Sequence, residues 1–249
     1  MIIIKTEKEI DLMRQAGKIV AETLLLVEKE VKPGVTTAEL DRIAEEFITK
    51  HGAKPSFKGL YGFPASLCIS VNEQVVHGIP GGYVLKEGDI ISVDCGAEIN
   101  GFHGDAARTF AVGKISEEAR RLITVTEESF FKGVEAAIVG NRLSDISHNI
   151  QNHIEANGFS VVRDFVGHGI GKTVHEDPEV PNFGRPGRGP KLVAGMALAI
   201  EPMVNMGTYR VKTAGDDWTV VTADKSLSAH YENTVVILPD GPEILTLIK

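Results

Sequence analysis

Cysteine is nearly absent: Cys68 and Cys95 are the only two in 249 residues. They stand in no metal-binding or redox spacing, which argues against a disulfide framework and a cysteine-ligated zinc finger. A reducing compartment, the cytoplasm, is the expected location. Long apolar runs are missing as well. The longest, Leu192 to Ile200, has nine residues, and a membrane-spanning helix needs about 20. Met1-Ile2-Ile3-Ile4 gives way at once to Lys5 and a charged stretch, too short an apolar core for a secretory signal. Positive charge is in deficit. Lys and Arg total 26 against 34 Asp and Glu, a net charge of −8, so nucleic acid is not expected as a specific partner. What remains is a chain long and apolar enough to close a substantial core without staples.

Two helix-start signals open that chain. Thr6 and Glu9 have capping-box spacing ahead of Ile10, Met13, Gly17, Val20, Leu24 and Val27, one helical stripe that Lys32-Pro33-Gly34 ends. Thr36 and Glu39 repeat the signal for a shorter helix carrying Leu40, Ile43 and Phe47, with a stop at Gly52. Extended segments follow at 66–71, 89–95 and 105–112. The order then recurs. A long helix runs from Ser116 toward Gly140, and a shorter one from Ser144 to Asn157-Gly158. Strands follow at 159–163, 195–202, 218–222 and 229–237. The recurrence implies one α+β domain, 1–249, with duplicated halves of about 1–113 and 114–249 that share a core.

Four acids share one context, at or beside strands. Asp94 follows the apolar run Ile90 to Val93, and Asp105 follows Asn100-Gly101, the strongest short hairpin signal. If that pair forms a two-residue turn, opposed residues sum to 201. Residue 94 then faces 107, and Asp105 is its diagonal neighbour on the same face. Two such carboxylates repel unless a proton or a cation lies between them; the alternative is two solvated acids near a turn. Glu201 ends the apolar stretch Met196 to Ile200, and Glu232 sits in His230-Tyr231-Glu232-Asn233-Thr234-Val235-Val236, again next to a strand. Several carboxylates and a histidine are what a pair of divalent ions needs, some acids bridging the two.

The histidines sort by neighbourhood. His168 lies between glycines in Val166-Gly167-His168-Gly169-Ile170-Gly171, where nothing bulky crowds the imidazole. His77 and His175 stand in loops and could donate hydrogen bonds to a substrate. His148 and His153, five apart on a helix, cannot chelate one ion. His103 shares strand parity with Asp105 and is the best decoy ligand; His51 and His230 carry no signal of their own.

Asp94, Asp105, His168, Glu201 and Glu232, with the strings VDCGAEINGFHGDAART, VGHGIGKTVHEDP, AIEPM and AHYENT around them, resemble the five-ligand dinuclear site of the type I methionine aminopeptidases. The resemblance spans nearly the whole chain and is closest to the bacterial-style enzymes. It implies the pita-bread fold, two pseudo-twofold halves around a curved antiparallel sheet. It also implies a hydrolase that removes the initiator methionine from nascent proteins when the second residue is small. Asp94 would chelate one ion, Asp105 and Glu232 would bridge, and His168 and Glu201 would complete the other shell. The ions would be cobalt, manganese, iron, zinc or nickel, holding and activating a water between them.

His77 and His175 would touch the scissile amide, and Glu201 would move the proton. Phe57, Phe63, Cys68, His77 and Trp218 would wall the methionine pocket, with Leu60 and Val174 at its outline. Asn72 and Ser228 match a loop site for sodium or potassium in some relatives. The Arg185, Arg188 and Lys191 loop, read first as solvated, is where a transient ribosome contact would fall. A monomer without membrane attachment is expected. Two other readings fit the same fold: a prolidase-like Xaa-Pro peptidase, and a non-catalytic peptide- or RNA-binding protein.

Overall fold

A computed structural model of the chain describes residues 1–248. Four helices cover one layer and a set of antiparallel sheets forms the other. Helix α1, Glu7–Glu30, begins where the sequence places it: the Thr6 side chain accepts from the Glu9 amide and the Glu9 carboxylate accepts from the Thr6 amide. Its whole apolar stripe from Ile10 to Val27 is buried. Helix α2, Thr37–Lys50, is capped by Thr36, and helix α3, Glu117–Val134, by Ser116.

Two boundaries differ from expectation. Helix α3 stops at Val134 because the Ala136 and Ala137 amides bond three residues back and the Gly140 amide, at φ 98°, leaves for the Leu192 carbonyl. Helix α4, Leu143–Ala156, has Arg142 and not Ser144 at its N-cap position. Asp145 accepts the Arg142 amide, while the Ser144 hydroxyl is taken by the Arg188 amide across the surface.

The central hairpin joins Ile90–Ile99 to Phe102–Ala111 through Asn100-Gly101. The first of these strands runs four residues past the expected end at 95. Its register pairs Asp94 with Ala107 and Gly96 with Asp105, the sum of 201 that the two-residue turn requires. Strand Leu67–Val71 pairs the other edge of Ile90–Ile99. A five-stranded sheet holds, in order, Gly241–Ile244, Asn233–Leu238, Ala197–Ile200, Gly167–Gly169 and Glu176–Val180. The expected strand at 229–237 is broken in two, Ser228–His230 and Asn233–Leu238, around Tyr231-Glu232.

That break is where the sheets meet. Glu232 and Ala107 exchange both backbone hydrogen bonds, at 3.0 and 3.3 Å. The Thr234 hydroxyl accepts from the Asp105 amide and donates to its carbonyl, 2.9 Å each. Helix α1 closes against the hairpin through two glycines: a Cβ on Gly104 would come within 2.8 Å of the Gly17 nitrogen. No other residue permits that approach, which fixes the backbone one residue before Asp105. Among the described residues no helix is long and apolar enough to cross a membrane.

Candidate active site

The hairpin, the Gly167–Gly169 strand, the end of Ala197–Ile200 and the Tyr231-Glu232 break converge at the floor of a cleft of about 720 Å³. All five acid and histidine ligand candidates border it, with His77, His175 and the expected wall residues Phe57, Phe63, Cys68 and Trp218. His168 reaches its place because its strand tolerates only glycine on either side. A Cβ at 167 would strike the Ala199 carbonyl at 2.3 Å, and one at 169 the Asp177 carbonyl at 2.1 Å. Its Nδ1–H donates to the Gly169 carbonyl at 2.8 Å, which leaves the Nε2 lone pair directed into the cleft. Nε2 stands 3.5 Å from Glu201 Oε1 and 3.9 Å from Asp105 Oδ2.

A lone pair facing carboxylates at that separation is repulsive unless positive charge lies between them. The same strain shows in the acids. Burial pushes Asp94 up to about 7. Burial, then repulsion from neighbouring acids, holds Asp105, Glu201 and Glu232 well above the usual carboxylate range. Burial pushes His168 down to about 4, so its ring is neutral and fit to ligate at neutral pH. Among the described residues eight buried side-chain polar atoms lack a hydrogen-bond partner, and four lie here: Asp94 Oδ1, Asp105 Oδ1, Glu232 Oε1 and His230 Nε2. Buried oxygen and imidazole donors, crowded together and short of hydrogen-bond partners, fit divalent cations.

His230, which carried no sequence signal, is a correction. It lies in the acid cluster, 2 % exposed, its Nε2 3.8 Å from both Glu201 and Glu232. Its spacing of two from Glu232 was the available clue. His103, the decoy, stays out: its Nδ1 bonds the Ser56 hydroxyl at 2.9 Å. Arg108 was also missed. It is half-buried, stacks on the Tyr231 ring at 4.2 Å and donates to the Glu232 carbonyl at 2.6 Å, so it holds the backbone of the break.

The wall is built differently. Cys68 is the register partner of Asp94, so the apolar pocket begins one strand from the acids. Phe63 meets Trp218 edge-on at 5.1 Å. Phe57, Val174 and Leu60 pack in the same cluster. Asp216, next to the tryptophan, accepts the amides of Trp218 and Thr219 and so fixes the turn that presents the indole. His77 sits at φ 59° with its ring against Phe165. His175 lies between His168, edge-on at 4.5 Å, and Tyr61, parallel at 6.0 Å. Burial lowers the pKa of both His77 and His175, so both are neutral donors.

Asn72 and Ser228 adjoin, the Ser228 amide donating to the Asn72 carbonyl at 2.9 Å. Their side-chain oxygens are engaged elsewhere, with Ile90 and with Val204 and Asn205. A monovalent ion there would have to draw on backbone carbonyls.

Comparison with known proteins agrees with this arrangement. Residues 11–239 match the model of metallopeptidase family M24. The chain is 78 % identical, over the full length of both, to a methionine aminopeptidase of Clostridium perfringens. It superposes on the crystal structure of a methionine aminopeptidase from Rickettsia prowazekii with a TM-score of 0.98 and 45 % identity, covering 99 % of this chain and 100 % of that one. A prolidase from Pyrococcus furiosus matches more distantly, with a TM-score of 0.80 and 25 % identity over 99 % of this chain and 66 % of that one.

Proposed function

The chain belongs to metallopeptidase family M24, among its methionine aminopeptidases, and from that premise we propose how its residues divide the removal of an initiator methionine from nascent proteins. The α+β fold is the pita-bread fold of that family. The observation that carries the division of labour is the junction of a partner-starved acid floor with an apolar wall, Cys68 lying beside Asp94. In this reading Asp94, Asp105, His168, Glu201 and Glu232 would hold two divalent ions. Cobalt, manganese, iron, zinc and nickel all suit such donors. Ions held there would supply Lewis acidity and lower the pKa of a bound water toward neutrality.

The residues do the rest. The dry wall of Phe57, Phe63, Cys68 and Trp218 takes the unbranched thioether. The substrate's free α-amine lies beside Asp94, which restricts cleavage to the first residue. His175 donates its N–H to the scissile carbonyl oxygen and to the oxyanion that develops there. His77 contacts the scissile amide. Glu201 takes the proton of the attacking water and delivers it to the leaving amine nitrogen. The parallel rings of Tyr61 and His175, 6.0 Å apart on the cleft lining, are the groups we assign to limiting the second residue to a small side chain.

Residues 1–249 act as one catalytic unit in this reading, a monomer in the cytoplasm. The exposed Arg185, Arg188 and Lys191 would make any passing ribosome contact. The test is a substrate comparison. Met-Ala-Ser is expected to be cleaved, and N-acetyl-Met-Ala-Ser and Ala-Pro to be left intact; exclusive cleavage of Ala-Pro would favour the prolidase-like reading instead.

A further inference from the structure

Two groups of donors meet in the acid cluster, each with its ligand atoms within 4.8 Å of one another: Asp105, His168 and Glu232, and Asp94, His230 and Glu232. They share Glu232, and each holds one imidazole. The five-residue set assigned above uses the first imidazole and leaves the second without a task.

His230 is not packed there as a spacer. Its backbone is held by both Thr109 hydroxyl bonds, accepting from its amide and donating to its carbonyl at 2.9 Å each. It is also held by pairing with Met203 across the strands. The backbone is thus fixed without help from the ring, and Nε2 is buried with no hydrogen-bond partner. At 3.8 Å from a carboxylate oxygen of Glu201 and of Glu232, it is too far to hydrogen-bond either. That separation does suit two donors that each reach about 2.0–2.2 Å to a common ion.

We infer that His230 is a sixth ligand of the centre, binding through Nε2 the ion that Asp94 holds and Glu232 shares. This deepens the dinuclear reading above and rests on it. Each ion then carries one nitrogen donor, in place of one nitrogen-bearing and one all-oxygen site. Nitrogen at both sites favours cobalt, nickel and zinc over manganese at both.

Affinity alone does not separate this role from indirect support, because removing a residue that merely orients a ligand also costs about 10–100-fold in metal binding. A count of ligating rings does. Chelator-stripped full-length protein is titrated with cobalt(II) by calorimetry. The loaded sample is then examined by proton NMR for hyperfine-shifted, solvent-exchangeable imidazole N–H signals. Two signals are expected at two bound equivalents, one lost in His230→Gln and the other in His168→Gln. Two bound equivalents with a single signal would overturn the His230 assignment and leave the dinuclear site standing. Uptake of fewer than two equivalents would overturn both. The wild-type count decides by itself if a variant does not fold.

Discussion

The floor and the wall of the cleft are positioned by different physics. The floor is set by strand register. Asp94, Asp105 and Glu232 are placed by ladders that pair Asp94 with Ala107, Gly96 with Asp105, and Ala107 with Glu232. A slip of one residue would turn an acid to the opposite face. The wall is set by loops and irregular backbone. His77 and Tyr61 both sit at positive φ, 59° and 50°, and His175 and Trp218 stand outside any strand. The difference teaches where error can be tolerated. A charge cluster without its cation needs rigid placement, because its members repel. An apolar wall needs only to be dry and of the right width.

The largest effect should come from the floor. Asp105→Asn removes a shared donor, and both metal retention and hydrolysis of Met-Ala-Ser should fall, the rate by about 10³-fold or more. Metal analysis and rate on the same sample check this, and an unchanged rate would detach the acids from the chemistry.

Next, the wall should be separable from the floor. His175→Ala and His77→Ala should each lower kcat by roughly 10²–10³ while metal content stays constant. A normal kcat in both variants would remove their assigned roles.

Gly96 is where the two regions touch. A Cβ there would come within 2.9 Å of the Phe57 ring and 2.8 Å of Ser56 Cβ. Gly96→Ala should therefore narrow the pocket and raise KM on the order of tenfold with little change in kcat. Loss of kcat instead would mean the hairpin register had shifted and the floor had moved with it.

The smallest effect is one of stability. Asp94, Asp105, Glu201 and Glu232 keep protons in the metal-free fold to a higher pH than in the unfolded chain. Their stabilising contribution is complete below the unfolded carboxylate range of about 4 and is lost as pH rises from there through the folded values, which for Asp94 is about 7. His168 and His230 shift the other way, but below pH 7, where the unfolded imidazoles gain protons. From pH 6.5 to 8, above the midpoint at which unfolded imidazoles titrate and through the Asp94 value of about 7, the melting temperature of metal-free protein should fall, by up to a few degrees. Divalent metal should cancel or reverse that fall, since binding strengthens as the ligands lose protons. A metal-free melting temperature that rises over this range would contradict the buried, repelling floor.

What the sequence made legible follows the same divide. The Asn100-Gly101 turn gave the register and with it the Asp94 and Asp105 pairing, because turn length leaves no freedom in a hairpin. Capping residues located α1, α2 and α3. Short strands such as Gln74–Val76, Gly167–Gly169 and Met203–Asn205 escaped notice, since three residues carry no periodicity and exist only through distant partners. His230 and Arg108 escaped for a related reason. Each acquires its role from the break at Tyr231-Glu232, and a strand pattern read from 229 to 237 runs straight across it. The wall residues were named from family resemblance more than from pattern, because an aromatic residue in a loop looks the same whether it faces a core or a cleft.

The central claim is that this floor works only with divalent ions in it. The most direct measurement is a titration of chelator-stripped protein with manganese(II) or cobalt(II), with Met-Ala-Ser hydrolysis followed in the same samples. The account predicts no turnover in stripped protein and activity that rises with metal bound. Full hydrolysis by protein shown to be free of metal would contradict it.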